Sequence, residues 1–137
     1  MSEMIDFNAQ VIAEFRANDG EVGGPFAGAT VLLLTTTGAR SGLERVNPVV
    51  CRREGDAVYV FASKAGAPTN PDWYHNLVAH PAVRVEVGTD AYPARAVVLE
   101  GAERDRIYDA QAAEVPAFAE YQAGTERVIP VVRLDRV

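Results

Sequence analysis

Apolar and polar positions divide the chain into a helical opening, a strand-rich middle and a close that returns to helix before a last strand. In residues 2–20, SEMIDFNAQVIAEFRANDG, Ile5, Ile12 and Phe15, with Phe7 or Val11, make a ragged stripe of helical period. Ser2 stands where a capping hydroxyl is wanted, and Gly20 where a left-handed residue ends a helix. Residues 21–29, EVGGPFAGA, are glycine-rich and predict a linker. From Thr30 the period changes. TVLLLTT (30–36) is apolar through its centre, as in a strand covered on both faces, and VNPVVCRR (46–53) follows a turn. An EGD turn (54–56) then leads into AVYVFAS (57–63), the pattern of a hairpin.

The loop KAGAPTN (64–70) precedes a short helix, PDWYHNLVAH (71–80). Asn70 is its expected cap, Pro71 fits its first position, Asp72 favours the positive end of the helix dipole, and Pro81 stops it. AVRVEVG (82–88) alternates, with Val83, Val85 and Val87 on one face and Arg84 and Glu86 on the other. After a GTD turn, AYPARAVVLE (91–100) reads as a strand that Pro93 assigns to a sheet edge. A helix over 102–115, a shorter helical piece over 116–122 and the strand VIPVVRL (128–134) complete the chain. Tight turns between neighbouring strands imply mainly antiparallel pairing, so the expected fold is mainly β with helices (α+β), a small barrel of about six short strands. One domain over 1–137 is expected, entered through a helix (about 2–19) and a glycine-rich loop (about 20–29). The βαβ alternation and GxGxxG turn of a dinucleotide-binding fold are both missing.

Charge narrows the chemistry. The formal net charge is -6 and the pI near 4.9, which argues against a broad basic face for nucleic acid. An acidic chain can still hold an anion where its few cations gather, so the positions of Arg40, Arg45, Arg52, Arg53 and Lys64 matter more than the total. The lone Cys51 excludes an intrachain disulfide and fits a reducing, cytoplasmic setting. No apolar run approaches the roughly 20 residues that cross a bilayer, although peripheral membrane contact through the first helix stays open.

Two stretches carry candidate chemistry. In TTTGARSGLERVNP (35–48), Gly38 and Gly42 permit a tight turn whose exposed N–H groups would form an anion nest beside the hydroxyls of Thr35, Thr36, Thr37 and Ser41. Arg40 and Arg45 add guanidinium forks suited to phosphate or carboxylate; the plainer alternative is a hairpin turn with solvated arginines. In FASKAGAPTNPDWYHNL (61–77), Lys64 opens a loop that runs into a helix, on which Trp73, Asn76 and Leu77 share one face. Trp73 and Asn76 could pack on and read a flat ring, or Trp73 and Leu77 could be core with Asn76 exposed. His75 and His80 miss the spacing of a zinc helix, and Cys51 reads as inert packing within a strand. The acidic residues Glu103, Asp105, Glu114 and Glu120 read as a solvated helix face. An anion site and an aromatic platform without a protein nucleophile suit a protein whose bound cofactor performs the reaction.

TTTGARSGLERVNP, ASKAGAPTNPDWYHNL and the closing YQAGTERVIPVVRL, in this order and spacing, resemble the deazaflavin-dependent nitroreductase family, split β-barrel oxidoreductases that use coenzyme F420. The likeness runs from about Thr30 to Leu134. It implies that Arg40, Ser41, Arg45, Val46, Asn47, Pro48, Ala62, Ser63 and Lys64 hold the cofactor's phosphate and polyglutamate tail, with Trp73, Tyr74 and Asn76 lining the deazaflavin. It also implies an acceptor pocket at Val115, Phe118 and Tyr121, with Tyr121 or water as proton donor. Family members that reduce nitroimidazole prodrugs carry several tyrosines in that last piece, whereas VPAFAEYQ (115–122) keeps only Tyr121, so a quinone is favoured over a nitro compound. A split barrel binding flavin mononucleotide (FMN), and a non-catalytic carrier of deazaflavin or quinone, are the alternatives. Such barrels often pair, and the apolar edge near 91–99 leaves room for a homodimer.

Overall fold

The computed structural model describes residues 2–23 and 30–137, with side chains from Phe7 onward. The cap expected at Ser2, the side chain of Ile5 and most of the glycine-rich linker therefore lie outside the described residues. Helix α1 spans Ser2–Ala17, strands β1, β2 and β3 span Val31–Thr37, Glu44–Glu54 and Ala57–Phe61, and helix α2 spans Asp72–Ala79. Strands β4 and β5 span Ala82–Val87 and Asp90–Val98, helices α3 and α4 span Gly101–Glu114 and Ala117–Ala123, and β6 spans Val131–Arg136. All six strands pair antiparallel in the closed order β1-β2-β3-β6-β5-β4. The element order agrees with the hydrophobic pattern, and the split-barrel class holds.

Alternation sorts each strand into an inner and an outer row. Leu32 and Leu34 of β1, Val49 and Cys51 of β2, Val58 and Val60 of β3, and the valines of β4 fill the barrel with Tyr92, Ala94, Ala96, Val132 and Leu134. On the outside, Tyr59, Phe61 and Val131 meet Ile107 and Tyr108 of α3 and Phe118 of α4 in a second apolar layer. The unbroken LLL of β1 belongs to this two-sided burial, because Leu32, Leu33 and Leu34 all have 0% exposure. Each such side chain contributes about 1.5–3 kcal/mol relative to leaving it in water. On α1, Val11 and Phe15 are buried, and Arg16 clasps both carboxylate oxygens of Glu86 on β4. Among the described residues, no helix is long and apolar enough to cross a membrane.

Three local readings change. Pro93 is not at a sheet edge, since β5 is paired with both β4 and β6. Its carbonyl accepts from Val137 N–H beyond the last residue of β6, so the missing proline donor faces a point where the partner strand has run out. Asn70 does not cap α2: Pro71 takes the cap position without a side-chain bond, and the Asn70 oxygen accepts from Arg127 instead. The acidic side of α3 is not merely solvated. Glu114 pairs with Arg52 and Glu103 with Arg133, which links the helix to the barrel wall.

Cys51 fits the expected inert role. It is buried in β2, and burial pushes its thiol up to about 12. The thiol is protonated in the fold and ionises on unfolding above its ordinary value near 9, so its contribution to stability is whole below pH ~9 and is lost as pH rises toward 12. At pH 9 iodoacetamide should label Cys51 only in denaturant; rapid labelling of the folded chain would contradict the assignment.

Candidate functional site

The meander puts five connections at one end of the barrel: the β1–β2 turn, the 62–71 loop before α2, the 80–81 link after it, the β5–α3 junction and the segment from α4 to β6. All three sequence blocks singled out above contribute to that end. The β2–β3 ladder runs from Glu54↔Ala57 to Cys51↔Val60 and goes no further. Upstream of Cys51, β2 is bonded to β1 alone, and the chain after Phe61 leaves toward β6 and the helices. This parting forms a seam. Arg45, Val46, Asn47 and Pro48 lie on its β2 side, and Ala62, Ser63 and Lys64 on the other. Pro48 is tolerated within β2 because the strand has a partner on one side only there.

The β1–β2 turn is built by small residues. A side chain at Gly38 would sit 2.4 Å from the Ser41 Oγ, which itself accepts from Leu43 N–H. The expectation that Gly38 and Gly42 offer free N–H groups is not met: Gly38 N–H donates to Leu43 O and Gly42 N–H to Gly38 O. Ala39 N–H donates to the Asn76 side-chain oxygen at 2.9 Å, and the Asn76 amide donates to Thr36 Oγ1 at 3.2 Å. Asn76, only 9% exposed, thus ties the Arg40 turn to α2. Trp73 and Leu77 are buried in the barrel core, while Tyr74 is half-buried against it.

The stronger anion cradle is in the loop after β3. Ser63 is right-handed (φ -75, ψ -41), and Lys64, Ala65 and Gly66 follow with φ of 47, 53 and 80. A right-handed residue followed by a left-handed one turns successive N–H groups toward one point, and left-handed backbone at Lys64 and Ala65 is a cost that the surroundings must impose. Gly66 N–H and Ala67 N–H close this turn on Ser63 O and Lys64 O, whereas the N–H groups of Ser63, Lys64 and Ala65 have no acceptor among the described residues. A side chain at Gly66 would meet the Tyr121 carbonyl at 3.0 Å, so the cradle lies directly against α4.

Charge is distributed unevenly around this end. Arg16, Arg52, Arg104, Arg106, Arg133 and Arg136 each have a carboxylate within 4 Å. Arg45 contacts only the Glu44 carbonyl, Lys64 only the Thr69 hydroxyl, and Arg40 no side chain among the described residues. Among the described residues Arg53, Arg84, Arg95 and Arg127 also lack a carboxylate, but Arg53 is at the opposite barrel end, Arg84 and Arg95 are on the outer face of β4–β5, and Arg127 is bonded to carbonyls of the 62–70 loop. Arg40, Arg45 and Lys64, without internal counter-charge, occupy the same barrel end as a loop of free N–H groups, a set that would fit a phosphorylated, acidic ligand.

Next to the cradle, Phe118 is 6% exposed and packs edge-on to Phe61 (5.3 Å) and Tyr121 (5.4 Å). The Tyr108 hydroxyl donates to Phe118 O. Phe118 is therefore held inside the aromatic layer, and Val115 and half-buried Tyr121 are the more open of the three expected acceptor residues. Two cavities of about 520 and 210 Å³ lie elsewhere, around Glu14–Gly23 and between Phe15 and the β4–β5 turn, and none of the expected site residues lines them. Arg104, Gln122 and Arg127 were missed by the reading of the sequence. Arg104 lies on a helix where half the buried positions are polar, which a search for apolar stripes passes over, and Gln122 and Arg127 lie outside any stripe.

The fold is a split barrel of the flavin-reductase-like kind, with a candidate anion cradle at its seam. A model of the F420H(2)-dependent quinone reductase family matches residues 8–135, and the chain belongs to that family. It is 37% identical over 128 residues to an F420H(2)-dependent quinone reductase of Mycobacterium tuberculosis, covering 90% of this chain and 86% of the relative. Among solved structures, an F420-H2 dependent reductase (FDR-A) superposes with TM-score 0.71 at 39% identity, covering 77% of this chain and 94% of that one. A second, described as a domain-swapped dimer, gives TM-score 0.73 at 35% identity and covers 93% and 96%.

Proposed function

We propose that this chain is an oxidoreductase that binds reduced coenzyme F420 and reduces a quinone. When bound, the reduced deazaflavin supplies a hydride at C5, and a quinone that takes up this hydride and a proton becomes a hydroquinone. The reading is supported by the Ser63–Lys64 cradle at the same barrel end as Arg40 and Arg45, all without carboxylate partners among the described residues, in a member of this family. The free N–H groups of Ser63, Lys64 and Ala65 would take the phosphate. Lys64, Arg40 and Arg45 would hold the acidic tail, with Ser41, Val46, Asn47, Pro48 and Ala62 shaping the groove between them. Tyr74 is the more open of the expected ring contacts. Trp73 and Asn76 would act from beneath, one as the floor of the barrel mouth and the other as the tie on the Arg40 turn.

Val115 and Phe118 give the acceptor wall an apolar character, which suits a quinone ring better than a nitro group. Tyr121, whose backbone packs on the Lys64 turn, brings a hydroxyl with no hydrogen-bond partner among the described residues and would serve as the proton donor. A homodimer belongs to the same reading, supported by the domain-swapped neighbour.

Titrating the protein separately with coenzyme F420 and with flavin mononucleotide, then following anaerobic oxidation of the reduced deazaflavin against quinones and nitroaromatics, tests the proposal. Tight deazaflavin binding with faster quinone than nitro turnover is the expected result. Binding without turnover of any acceptor would reduce the protein to a carrier. Lys64→Ala and Arg40→Ala should each raise the cofactor Kd about tenfold at low salt and less at high salt. Wild-type affinity in both variants would remove the cationic clamp.

A further inference from the structure

The geometry points to Arg127 as a positioning residue that turns the Ser63 and Lys64 N–H groups outward to receive the cofactor's phosphate. This rests on the proposed cofactor. Arg127 comes from the segment between α4 and β6, and its guanidinium reaches into the 62–70 loop. Nε donates to Ala67 O (2.8 Å), one terminal nitrogen to Ala62 O (3.0 Å) and Asn70 Oδ1 (2.8 Å), and the other to Ser63 O (2.8 Å). In a trans peptide the carbonyl and the next residue's N–H point in opposite directions. Drawing the Ala62 and Ser63 carbonyls toward Arg127 therefore aims the N–H groups of Ser63 and Lys64 away from it. The loop contains no cis peptide, so this relation holds at both bonds.

Two further features separate this side chain from an ordinary surface arginine. No carboxylate is among its partners, so only carbonyl and amide dipoles oppose its charge within the described residues. It is also fixed from behind. Its own carbonyl accepts from Gln122 Nε2 at 2.8 Å, and the Gln122 oxygen accepts from Ile129 N–H at 3.0 Å and from Arg104 at 2.6 Å. Burial alone lowers the tendency of Arg127 to hold its proton, yet a guanidinium stays charged at any working pH. Carbonyls polarised by this charge make their peptide N–H groups better donors. The fork fixes the direction of the cradle and strengthens it.

The test compares Arg127→Lys, which keeps the charge but loses the planar fork, with Lys64→Ala and the double variant. Arg127→Lys should raise the cofactor Kd about tenfold while kcat at saturating cofactor stays within about twofold. The double variant should bind much more tightly than the product of the two single losses predicts, because both changes act on one cradle. In the free protein, amide hydrogen exchange at Gly66 and Ala67, whose N–H groups close the turn, should quicken. If Arg127→Lys does not fold, Asn70→Ala removes one of the four bonds and should give the same signs at about threefold. Unchanged exchange with wild-type affinity, or single losses that multiply in full, would overturn the role. Should the wild-type protein fail to bind coenzyme F420, the proposed cofactor falls, while exchange in the free variant still decides whether Arg127 shapes the loop.

Discussion

Replacing Arg104 by alanine should lower the stability of the folded chain by about 3–4 kcal/mol and its melting temperature by roughly 10–15 °C. Arg104 is 8% exposed and lies under the α4–β6 segment. Its Nε and one terminal nitrogen both donate to Ile129 O, at 3.0 and 2.9 Å, and the same nitrogen donates to Gln122 at 2.6 Å. Its guanidinium stands 4.4 Å from the centre of the Tyr108 ring. Its Asp105 partner is largely exposed, so that ion pair contributes little, and the weight lies on the carbonyl and amide bonds. Alanine would leave the Ile129 carbonyl buried without its donors and open a cavity beside Tyr108. Arg104→Met refills the stem but not the bonds and should recover only part of the loss. Thermal unfolding of the three proteins measures this, and a fall of less than ~3 °C in Arg104→Ala would show that the network bears no load.

The second large effect is expected at Asn76. Leucine there keeps the branched outline of the side chain but strands Ala39 N–H and the buried Thr36 hydroxyl, at a cost of about 2–3 kcal/mol. The β1–β2 turn then loses its tie to α2, and Arg40 and Ser41 lose their fixed station beside the seam. On the proposed function, the cofactor Kd should rise about tenfold in Asn76→Leu, with quinone turnover at saturating cofactor much less affected. Equilibrium unfolding and a fluorescence titration separate the two readouts. Lost stability with unchanged affinity would mean that the Arg40 turn takes no part in binding.

Both residues illustrate how far a stripe of side chains can be read. The buried positions of α3 are Arg104, Ile107, Tyr108 and Gln111, at the i, i+3, i+4, i+7 spacing of an inward face, yet two of the four are polar. Trp73, Asn76 and Leu77 repeat this on α2. The spacing is present in the sequence, but hydrophobicity does not mark it. A buried guanidinium or amide is tolerated only when its partners are at hand, and those partners, Ile129, Gln122, Thr36 and Ala39, are 18–40 residues away in the chain. The anion nest shows the same limit in the backbone. Glycines at 38 and 42 signalled a turn, but the free N–H groups are in SKA (63–65), where Lys64 and Ala65 adopt a handedness that neither residue prefers.

The amino-acid sequence alone determined the helices and strands, their order, the antiparallel turns and the barrel class, because each rests on a short-range period or turn residue that burial then rewards. It also determined which three blocks carry the unusual cations and loops. Only the tertiary structure decided that the barrel closes through β1–β4 pairing, leaving Pro93 inside the sheet, and that β2 and β3 part at Cys51 to open the seam. It alone brought Arg127 onto the Lys64 loop. Closure and parting depend on where paired strands run out relative to one another, and the cradle depends on a side chain roughly 60 residues downstream pulling two carbonyls inward. Such long-range geometry leaves no mark on local pattern.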